Sequence, residues 1–475
     1  MHLNQSLLRA LSLFPTKEAI ADGQKKMTYE ELGKRIAALI AALKDAGVEK
    51  GDVVACMSLN CHEYLELYYA TAFMGAVLNP LNYRLHAEEV RVILQDSNAK
   101  IFVGHTEFSE VIEKIFKNKT SVKQLLWLGP GAPQKNDINS TNYEPFLMNH
   151  WGVALPEPNA TSDDLAQLYY TSGTTGQAKG VMLTHGNAAF NALAAVSELN
   201  IKDSDVWLHV APIFHLVDAW AIWSVTWAGG KHVFLPQFKA TPVMQVIERE
   251  GVTLTALVPT MLGTLLDSHN IWEYTYNTLR FILTAGSPIA PDMVRQVAEV
   301  FRCDYAQFYG MTETSPFLTI SLPLAVHANL PAHKLLEVKA KTGRPIIGVD
   351  VKVVKEDGSE VAHNAEEVGE IIARGPNVTK GYWNKPDITA ATIINGWLHT
   401  GDLATVDQDG FLNIVDRKKD MIVTGGENVF STEVEHIIYE HGAVFECAVF
   451  GVPDEKWGEA VKAVIVCHGT MELRS

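Results

Sequence analysis

Cysteine is scarce in this sequence, and its few cysteines are scattered: Cys56, Cys61, Cys303, Cys447 and Cys467. No two of them form a CxxC pair and their number is odd, which argues against a disulfide framework and against a zinc site. Reduced thiols are the simpler expectation, and with them a cytoplasmic location. Cys56 lies in the apolar run "VVACMSL" and is expected in the core.

The sequence also lacks an excess of basic residues. Lysine and arginine number 39 against 55 aspartates and glutamates, which gives a formal net charge of −16. Nucleic-acid binding relies on clustered lysine and arginine, so we expect no nucleic-acid partner. Any anion that the chain binds must be held by local features.

Long hydrophobic runs are absent as well. The N-terminal stretch carries Arg9 within its apolar part and lacks the core of a signal peptide. The most apolar region, residues 210 to 228, is interrupted by Pro212, His215 and Asp218, so we expect no transmembrane segment. The final "MELRS" is not a peroxisomal tripeptide. The sequence leaves peripheral membrane contact and homodimer formation open.

What the sequence does contain is an alternation of strands and helices. Its 475 residues, 47% of them hydrophobic, are enough for roughly two to four globular domains. Thr28 and Glu31 form a capping box, which predicts a helix over residues 28 to 47 that stops at Gly47. Buried strands such as "DVVACMSL", "AKIFVG" and "LRFILTAGS" alternate with helical stretches, which favours a mostly parallel sheet covered by helices.

The pattern changes over residues 340 to 416. Short β runs there are separated by turns at Asp357–Gly358 and Asp409–Gly410. Such runs predict an antiparallel or barrel-like subdomain.

A charged run, "DRKKD" at residues 416 to 420, follows this subdomain. It is a candidate hinge between two units, although such runs are more often solvated turns. Beyond it, a glycine turn leads into a helix. We expect Ser431 to cap this helix, and Val434, Ile437 and Ile438 to share its buried face.

The stretch "TSGTTGQAKG", residues 171 to 180, has the chemistry of a phosphate-binding loop. Glycines allow close backbone approach, hydroxyls donate hydrogen bonds, and Lys179 supplies positive charge. A Walker A loop places its lysine after a glycine and opens a helix, whereas Lys179 precedes Gly180 and "VMLTH" is strand-like. We therefore expect the loop to join two strands. A flexible polar hairpin without function is the alternative, which the lysine disfavours.

The longer stretch "YTSGTTGQAKGVMLTHGN" resembles the signature loop of the adenylate-forming enzymes. These include acyl-CoA synthetases, coumarate–CoA-type ligases, luciferases and peptide-synthetase adenylation domains. Further motifs fit in the family's order: "FH", "TAGSPI", "QFYGMTETSP", "TGRP", "TGD" and "DRKKD". One motif alone would be weak, but the ordered set is highly specific. One departure is visible: Ala178 stands where the family usually has proline.

This resemblance implies an α/β fold in two domains. A large N-terminal domain of stacked, mostly parallel sheets with helices, plus a β-barrel-like subdomain, would occupy residues 1–418. A small α+β lid domain, incomplete in this sequence, would occupy residues 419–475 after the hinge.

The reaction implied by the resemblance has two steps. A carboxylate attacks the α-phosphorus of ATP to give acyl-AMP and pyrophosphate, and coenzyme A then takes the acyl group and releases AMP. The first step brings anions together, so the site must supply Mg²⁺, cations and hydrogen-bond donors.

The motifs assign roles to residues by position. The β- and γ-phosphates would be cradled by Thr171, Ser172, Gly173, Thr174, Thr175, Gly176 and Lys179. The rest of the nucleotide pocket would come from Gly286, Ser287, Pro288, Tyr309, Gly310, Thr312, Asp402 and Arg417. Tyr309 would stack on adenine, Thr312 would contact the α-phosphate, and Asp402 would accept bonds from both ribose hydroxyls. Glu313 would bind Mg²⁺, which prefers oxygen ligands.

The acyl pocket would be built from apolar residues around the "FH" motif: His215, Trp220, Trp223, Ala285, Phe308 and Phe317. His215 would lie beside the reacting carboxylate, with Lys179, Thr312 and Glu313 completing the catalytic set. Amino-acid-activating relatives place an aspartate at the position of His215, and here Asp218 comes three residues later, so amino-acid activation is disfavoured.

Two features bear on the acid. Phe308 is bulky where many relatives have glycine, and it would narrow or redirect the acyl tunnel. The segment "LNPLNYRLHAEEV" is similar to bacterial fatty-acyl–CoA ligases. We expect a medium- or long-chain aliphatic acid, with an aryl acid as the alternative.

The hinge residue would be Lys419, or else Asp420, and the coenzyme A side would include Gly425, Gly426 and Glu427. The family's adenylation lysine lies in a later signature that this sequence lacks. We therefore expect an incomplete lid domain, in a fragment or a naturally short protein. Adenylation would be slowed roughly 10²–10³-fold while nucleotide binding survives.

Other readings remain. In one, the chain is an adenylate-binding pseudoenzyme. In the other, it is an adenylating enzyme that loads a carrier-protein thiol or acts on a luciferin-like acid.

Overall fold

The computed structural model describes residues 1–131, 138–172, 178–287, 289–425, 427–439, 441, 443–454 and 456–467. The first part of the chain alternates strands and helices, as the sequence predicts. Its elements are α1 (Asn4–Leu13), β1 (Glu18–Asp22), β2 (Lys25–Thr28), α2 (Tyr29–Asp45), β3 (Val53–Met57), α3 (His62–Met74), β4 (Val77–Pro80), α4 (Ala87–Ser97), β5 (Ile101–His105), α5 (Ser109–Phe116), β6 (Gln124–Leu128), β7 (Ser140–Asn142) and α6 (Tyr143–Met148).

The alternation continues through the middle of the chain. The elements there are β8 (Leu165–Ser172), β9 (Ala178–Thr184), α7 (His185–Leu199), β10 (Val206–His209), α8 (Leu216–Ala228), β11 (Lys231–Phe234), α9 (Ala240–Glu250), β12 (Leu254–Leu257), α10 (Pro259–Leu266), β13 (Phe281–Thr284), α11 (Pro291–Val300), β14 (Asp304–Gly310), β15 (Phe317–Ile320), α12 (Ala332–Ala340) and β16 (Arg344–Pro345).

Strands dominate the last part. The elements are β17 (Asp350–Val354), β18 (Gly369–Arg374), α13 (Pro386–Thr392), β19 (Ile393–Ile394), β20 (Trp397–Val406), β21 (Leu412–Arg417), β22 (Ile422–Thr424), β23 (Glu427–Val429), α14 (Ser431–Tyr439), β24 (Val444–Asp454) and β25 (Gly458–Cys467).

Two large sheets form the body of the molecule. The seven-stranded sheet has the order β7-β6-β5-β3-β4-β8-β9, and only its β8–β9 pair is antiparallel. The nine-stranded sheet has the order β16-β15-β14-β13-β12-β10-β11-β1-β2, parallel from β14 to β1. The predicted mostly parallel α/β architecture is confirmed.

Helices α1, α2, α3, α7 and α8 lie between these two sheets, because their buried residues share one core with the facing strands. Helices α9 to α11 cover the far side of the nine-stranded sheet, and α4 and α5 cover the far side of the seven-stranded sheet. α8, with His215 just before its first residue, is therefore sandwiched at the centre of the molecule.

The antiparallel subdomain predicted after residue 340 is present. Its five-stranded sheet has the order β17-β18-β20-β19, with β21 paired to β20. The turn at Asp357–Gly358 is closed by a hydrogen bond from Gly358 N to Lys355 O at 3.0 Å. The turn at Asp409–Gly410 is closed in the same way by Asp407.

A separate four-stranded sheet, of order β23-β22-β25-β24, follows the charged run. α14 packs on it, but two predictions about this helix are wrong. Ser431 is the first helical residue rather than the cap, because Asp416 accepts from Ser431 N at 2.6 Å and from its hydroxyl at 3.2 Å. Ile437 is 63% exposed, so it does not share the half-buried face of Val434 and Ile438. The domain boundary at residues 418 and 419 stays a prediction.

Among the described residues, no helix has both the length and the apolar character needed to cross a membrane. All five cysteines are free, and Cys56 is buried as predicted.

Candidate active site

The signature stretch connects β8 and β9, which pair as an antiparallel hairpin. It thus joins two strands, as predicted. Thr171 and Lys179 lie directly opposite each other, next to the loop that connects β8 and β9. Gly173, Thr174, Thr175, Gly176 and the side chain of Ser172 are outside the described residues, so their phosphate contacts stay predictions.

Glu313 follows β14 in a short 3₁₀ turn, Thr312–Thr314. Its carboxylate is 7% exposed, and Oε1 accepts a hydrogen bond from the Tyr382 hydroxyl at 2.8 Å. Burial raises the pKa of Glu313 above its ordinary value, and the Tyr382 hydroxyl and the charge of Lys179 oppose this shift. The turn thus presents a carboxylate that a cation would stabilise in its charged form.

Two buried asparagines hold the chain that leaves this turn. Asn377 Nδ2 donates to the carbonyl oxygens of Thr314 and Phe317 at 3.0 and 2.7 Å. Asn191 Nδ2 donates to the same two oxygens at 3.4 and 3.3 Å. The turn that carries Glu313 is therefore fixed from α7 and from the segment after β18.

Asp402 lies on β20 beside two other predicted site residues. Its Oδ2 accepts from the Tyr309 hydroxyl at 2.7 Å, and its Oδ1 is 3.3 Å from Arg417 Nε. Burial raises the pKa of Asp402, while Tyr309 and Arg417 oppose the shift. Tyr309 therefore joins β14 to the antiparallel subdomain at this point.

The two carboxylates face one region. The negative charge of Asp402 contributes to the raised pKa of Glu313, and the positive charge of Lys179 lowers that pKa. Lys179 of the hairpin and Glu313 after β14 meet at Tyr382, whose ring centroid lies 5.4 Å from Lys179 Nζ and whose hydroxyl donates to Glu313 Oε1 at 2.8 Å. Thr312 is the residue before Glu313 in the same turn.

The glycine positions of the predicted nucleotide pocket are sterically restricted. A Cβ on Gly310 would lie 1.7 Å from the carbonyl oxygen of Pro316, so only glycine fits there. Gly286 follows β13 with φ +93°, and Gln307 Nε2 donates to the carbonyl of the exposed Ser287 at 3.1 Å. Pro288 is outside the described residues.

The structure brings four predicted acyl-pocket residues into one cluster. The ring centroids of Phe308 and Phe317 are 4.3 Å apart, and those of Trp220 and Phe317 are 4.7 Å apart. Trp220, Phe308 and Phe317 are each 3% exposed or less, and Ala285 joins the same apolar core. The three rings fill the space between α8, β14 and β15.

Trp223 lies elsewhere, although it is only one helical turn from Trp220. Its ring contacts those of Tyr68 and Tyr69, with centroids at 5.8 and 4.7 Å, in the core between the sheets. Trp223 therefore packs in a different core from Trp220, and its assignment to the acyl pocket stays a prediction.

His215 is exposed to solvent, yet protein surrounds most of its imidazole. Desolvation lowers the pKa of His215, and the nearby charge of Arg84 lowers it further. A side chain that reaches solvent and is also surrounded by protein is expected on a concave surface. Desolvation and the charge of Arg84 both favour the neutral form of the imidazole.

Asp218 does not take the role of an ammonium ligand. Its side chain is fully buried, and Oδ1 accepts from Trp207 Nε1 at 2.8 Å and contacts His209 Nδ1 at 3.0 Å. The carboxylate thus lies between α8 and β10 of the nine-stranded sheet, away from solvent.

The residues of the predicted hinge and coenzyme A side are more exposed. Lys419 is half exposed and follows Lys418, whose backbone N donates to the carbonyl of Gly401 at 2.8 Å. Gly425 has φ +61°, and a Cβ there would lie 2.9 Å from the Trp457 ring. Glu427 is exposed, and Gly426 is outside the described residues.

Comparison with protein families assigns most of the chain. Residues 7–383 match the family model "AMP-binding enzyme", and residues 433–475 match "AMP-binding enzyme C-terminal domain". The chain belongs to the AMP-binding enzyme family. The resemblance read from the signature motifs is confirmed.

Individual members of the family give the same picture. The chain is 35% identical to a feruloyl-CoA synthase of Amycolatopsis sp over 97% of this chain and 87% of that protein. It is 35% identical to a fatty acid–acyl-carrier-protein ligase of Streptomyces coeruleorubidus over 95% of this chain and 84% of that protein. A structure of o-succinylbenzoate CoA synthetase from Bacillus subtilis with its acyl-adenylate superposes with TM-score 0.84, 29% identity, and coverage of 98% and 89%.

Sequence reasoning within the family motifs missed three residues that build the site. Tyr382 and Asn377 lie between the recognised motifs. Arg84 belongs to "NYRLH", a stretch that is similar to bacterial fatty-acyl–CoA ligases but whose arginine has no role assigned by the motifs. The signal for Tyr382 was its place in "TKGYWN", where two aromatic residues follow a glycine in a polar loop. Such a loop is more often exposed, so the buried ring of Tyr382 beside the half-buried Trp383 marks a packed segment.

Proposed function

We propose that this chain is an ATP-dependent acid–thiol ligase of the AMP-forming type. A carboxylate oxygen attacks the α-phosphorus of ATP, the bond to the β-phosphate oxygen breaks, and acyl-AMP and pyrophosphate result. The thiolate of coenzyme A then attacks the acyl carbon, and AMP leaves as the thioester forms. The convergence of Lys179, Glu313 and Asp402 on one region carries this proposal.

The nucleotide would be held at two ends. Asp402 is positioned by Tyr309 and Arg417 to accept hydrogen bonds from ribose hydroxyls. Lys179 and Thr171 would contact the β- and γ-phosphates beside the loop that connects β8 and β9. Since phosphates and the incoming carboxylate repel each other, cationic and hydrogen-bonding groups here favour the transition state.

Glu313 is the residue we propose for holding Mg²⁺. A buried carboxylate whose pKa is raised fits a hard cation, because the cation would offset the cost of burying the charge. Bound Mg²⁺ would neutralise part of the phosphate charge during adenylation. The hydrogen bond from the Tyr382 hydroxyl orients the Glu313 carboxylate.

We propose that the acid substrate is a compact aryl acid rather than a long-chain aliphatic acid. Trp220, Phe308 and Phe317 pack against one another in a buried cluster, which would form the floor of the acyl pocket. A flat ring fits above such a floor, whereas a long chain would have to displace a ring. Feruloyl-CoA synthase, among the most similar relatives, acts by its name on an aryl acid.

A medium- or long-chain fatty acid is the second candidate. The segment "LNPLNYRLHAEEV" supports it, and one relative is by name a fatty acid ligase with acyl-carrier-protein as acceptor. The cytoplasmic location, homodimer formation, choice of acceptor and slowed adenylation stay predictions.

The experiment is a thioester assay with the full chain. ATP, Mg²⁺ and coenzyme A are supplied with hydroxycinnamic and benzoic acids, with medium- and long-chain fatty acids, and with amino acids. We expect acyl-CoA from aryl acids, detected by mass spectrometry together with AMP. Fatty acyl-CoA would move the proposal to the second candidate. No thioester and no acid-dependent AMP from folded, ATP-binding protein would contradict the proposal and favour a pseudoenzyme.

A further inference from the structure

Residues 379 to 383 form a short extended segment that lies along β9. Trp383 N donates to the carbonyl of Gly180 at 2.7 Å, and Met182 N donates to the carbonyl of Gly381 at 3.1 Å. Tyr382 and Val181 form the antiparallel bridge between these bonds. The segment therefore extends the seven-stranded sheet beside the signature hairpin.

The same segment also contacts the Glu313 turn of the nine-stranded sheet. Thr379 N donates to the carbonyl of Glu313 at 2.7 Å, and the Tyr382 hydroxyl donates to Glu313 Oε1 at 2.8 Å. Lys179 Nζ lies 5.4 Å from the centroid of the Tyr382 ring. One side chain thus touches both the loop lysine and the turn carboxylate.

Tyr382 is rigidly held. It is 6% exposed, and its backbone N donates to Thr389 Oγ1 at 2.9 Å. A buried ring whose backbone is fixed on both sides has few rotamers to choose from, so its hydroxyl defines a point in space for the Glu313 oxygen.

We propose that Tyr382 is a positioning residue for the metal-binding carboxylate of Glu313. Its hydroxyl fixes Oε1, and its ring supports Lys179, so that carboxylate and ammonium are placed before nucleotide arrives. This inference rests on the proposed function, because it takes Glu313 as the Mg²⁺ ligand. Loss of a hydrogen bond that orients a metal ligand weakens metal affinity by roughly 10–100-fold.

The test separates the hydroxyl from the ring. Tyr382→Phe keeps the ring beside Lys179 and removes only the donor to Glu313. Tyr170→Phe is the matched control: Tyr170 lies on the same hairpin, and its hydroxyl donates to Asp96 Oδ2 at 2.6 Å, a carboxylate outside the proposed site.

ATP binding is measured by calorimetry in the full chain, first with EDTA and then along a Mg²⁺ titration. We expect Tyr382→Phe to need roughly 10-fold more Mg²⁺ for half-maximal enhancement of ATP binding, with metal-free ATP affinity unchanged. Tyr170→Phe should match the unaltered chain in both quantities. In a Glu313→Gln background, Tyr382→Phe should have no further effect on the Mg²⁺ requirement.

Three results would overturn the inference: an unchanged Mg²⁺ requirement in Tyr382→Phe, an effect that persists in the Glu313→Gln background, or a Tyr382→Phe chain that no longer folds. The last would mean that the hydroxyl serves the fold itself. An unaltered chain that binds no ATP would contradict the proposed function, and this inference with it.

Discussion

Glu313 and Asp402 are two buried carboxylates in one anion-binding region, and burial raises the pKa of each. Their charges oppose one another and would oppose a phosphate. Hydrogen bonds from Tyr309 and Tyr382 and the positive charges of Lys179 and Arg417 offset part of the cost of burying these charges. Such perturbed carboxylates are typical of functional sites rather than of packed cores.

Phe308 is the residue that we expect to limit the size of the acid. Phe308→Ala removes a ring that contacts both Trp220 and Phe317 and would leave space at the proposed floor of the acyl pocket. The ratio of kcat/KM for a long-chain acid to kcat/KM for a compact aryl acid should rise about 10-fold or more, because each accommodated methylene contributes about 1–3 kcal/mol. The free energy of unfolding should fall by about 3–5 kcal/mol.

Trp223→Phe is the control for that substitution. Trp223 is equally buried but packs on Tyr68 and Tyr69. It should cost stability without changing the ratio of the two kcat/KM values. A ratio that stays constant in Phe308→Ala, or moves in Trp223→Phe, would contradict the assignment of the pocket floor.

Individual site residues differ in how far the sequence could predict them. Asp402 and Glu313 stand inside short, ordered motifs, so their types and positions could be read directly. Tyr382 could not be found this way, since its partner Glu313 lies 69 positions earlier and no local pattern reports that contact. The sequence could not show that Trp223 packs on Tyr68 and Tyr69, because a run of apolar residues on a fully buried helix does not show which face meets which neighbour.

At the scale of elements, α2 shows a signal that is fully local. Glu31 Oε2 accepts from Thr28 N at 2.7 Å, while Thr28 Oγ1 accepts from Glu31 N at 3.2 Å. Both groups lie within four consecutive residues, so the sequence alone predicted the start of the helix. α14 begins differently, since its first turn is held by Asp416 of β21, a partner 15 positions away.

The capping box should be measurable in the stability of the protein. Thr28→Ala removes the hydroxyl and should lower the free energy of unfolding by about 1 kcal/mol. Thr28→Ser keeps an oxygen in place and should lose much less. Urea denaturation of the three proteins checks this, and equal stabilities would show that the cap contributes nothing to α2.

At the scale of the whole molecule, the strand order of the sheets was beyond the sequence. Alternating strands and helices predicted parallel sheets, but the pattern does not say that β1 pairs with β11 or that β8 follows β4. Those pairings depend on packing between distant segments, and the core between the two sheets collects residues from α1, α2, α3, α6, α7 and α8.

The pH dependence of stability is also a property of the whole fold. His185 is fully buried, and neither ring nitrogen has a partner among the described residues. Burial lowers the pKa of His185 to about 4. The unfolded chain binds this proton near its ordinary pKa of about 6.5, so stability falls as pH drops below that value, by about 3 kcal/mol at about pH 4.

His185→Leu should flatten this dependence. Its melting temperature should fall less between neutral and acidic pH than that of the unaltered chain, because one proton-binding difference has been removed. The exposed His333 provides the control, and His333→Leu should leave the slope as it is. A slope that is the same in His185→Leu would show that His185 binds its proton as readily in the folded chain as in the unfolded chain.

The central claim is that this chain joins a carboxylic acid to AMP. Acid-dependent exchange of labelled pyrophosphate into ATP measures that step alone, without coenzyme A. The account predicts exchange that requires Mg²⁺ and one class of acid, and that is lost in Glu313→Gln, which remains folded. Folded chain that binds ATP but exchanges no pyrophosphate with any aryl or fatty acid would contradict it.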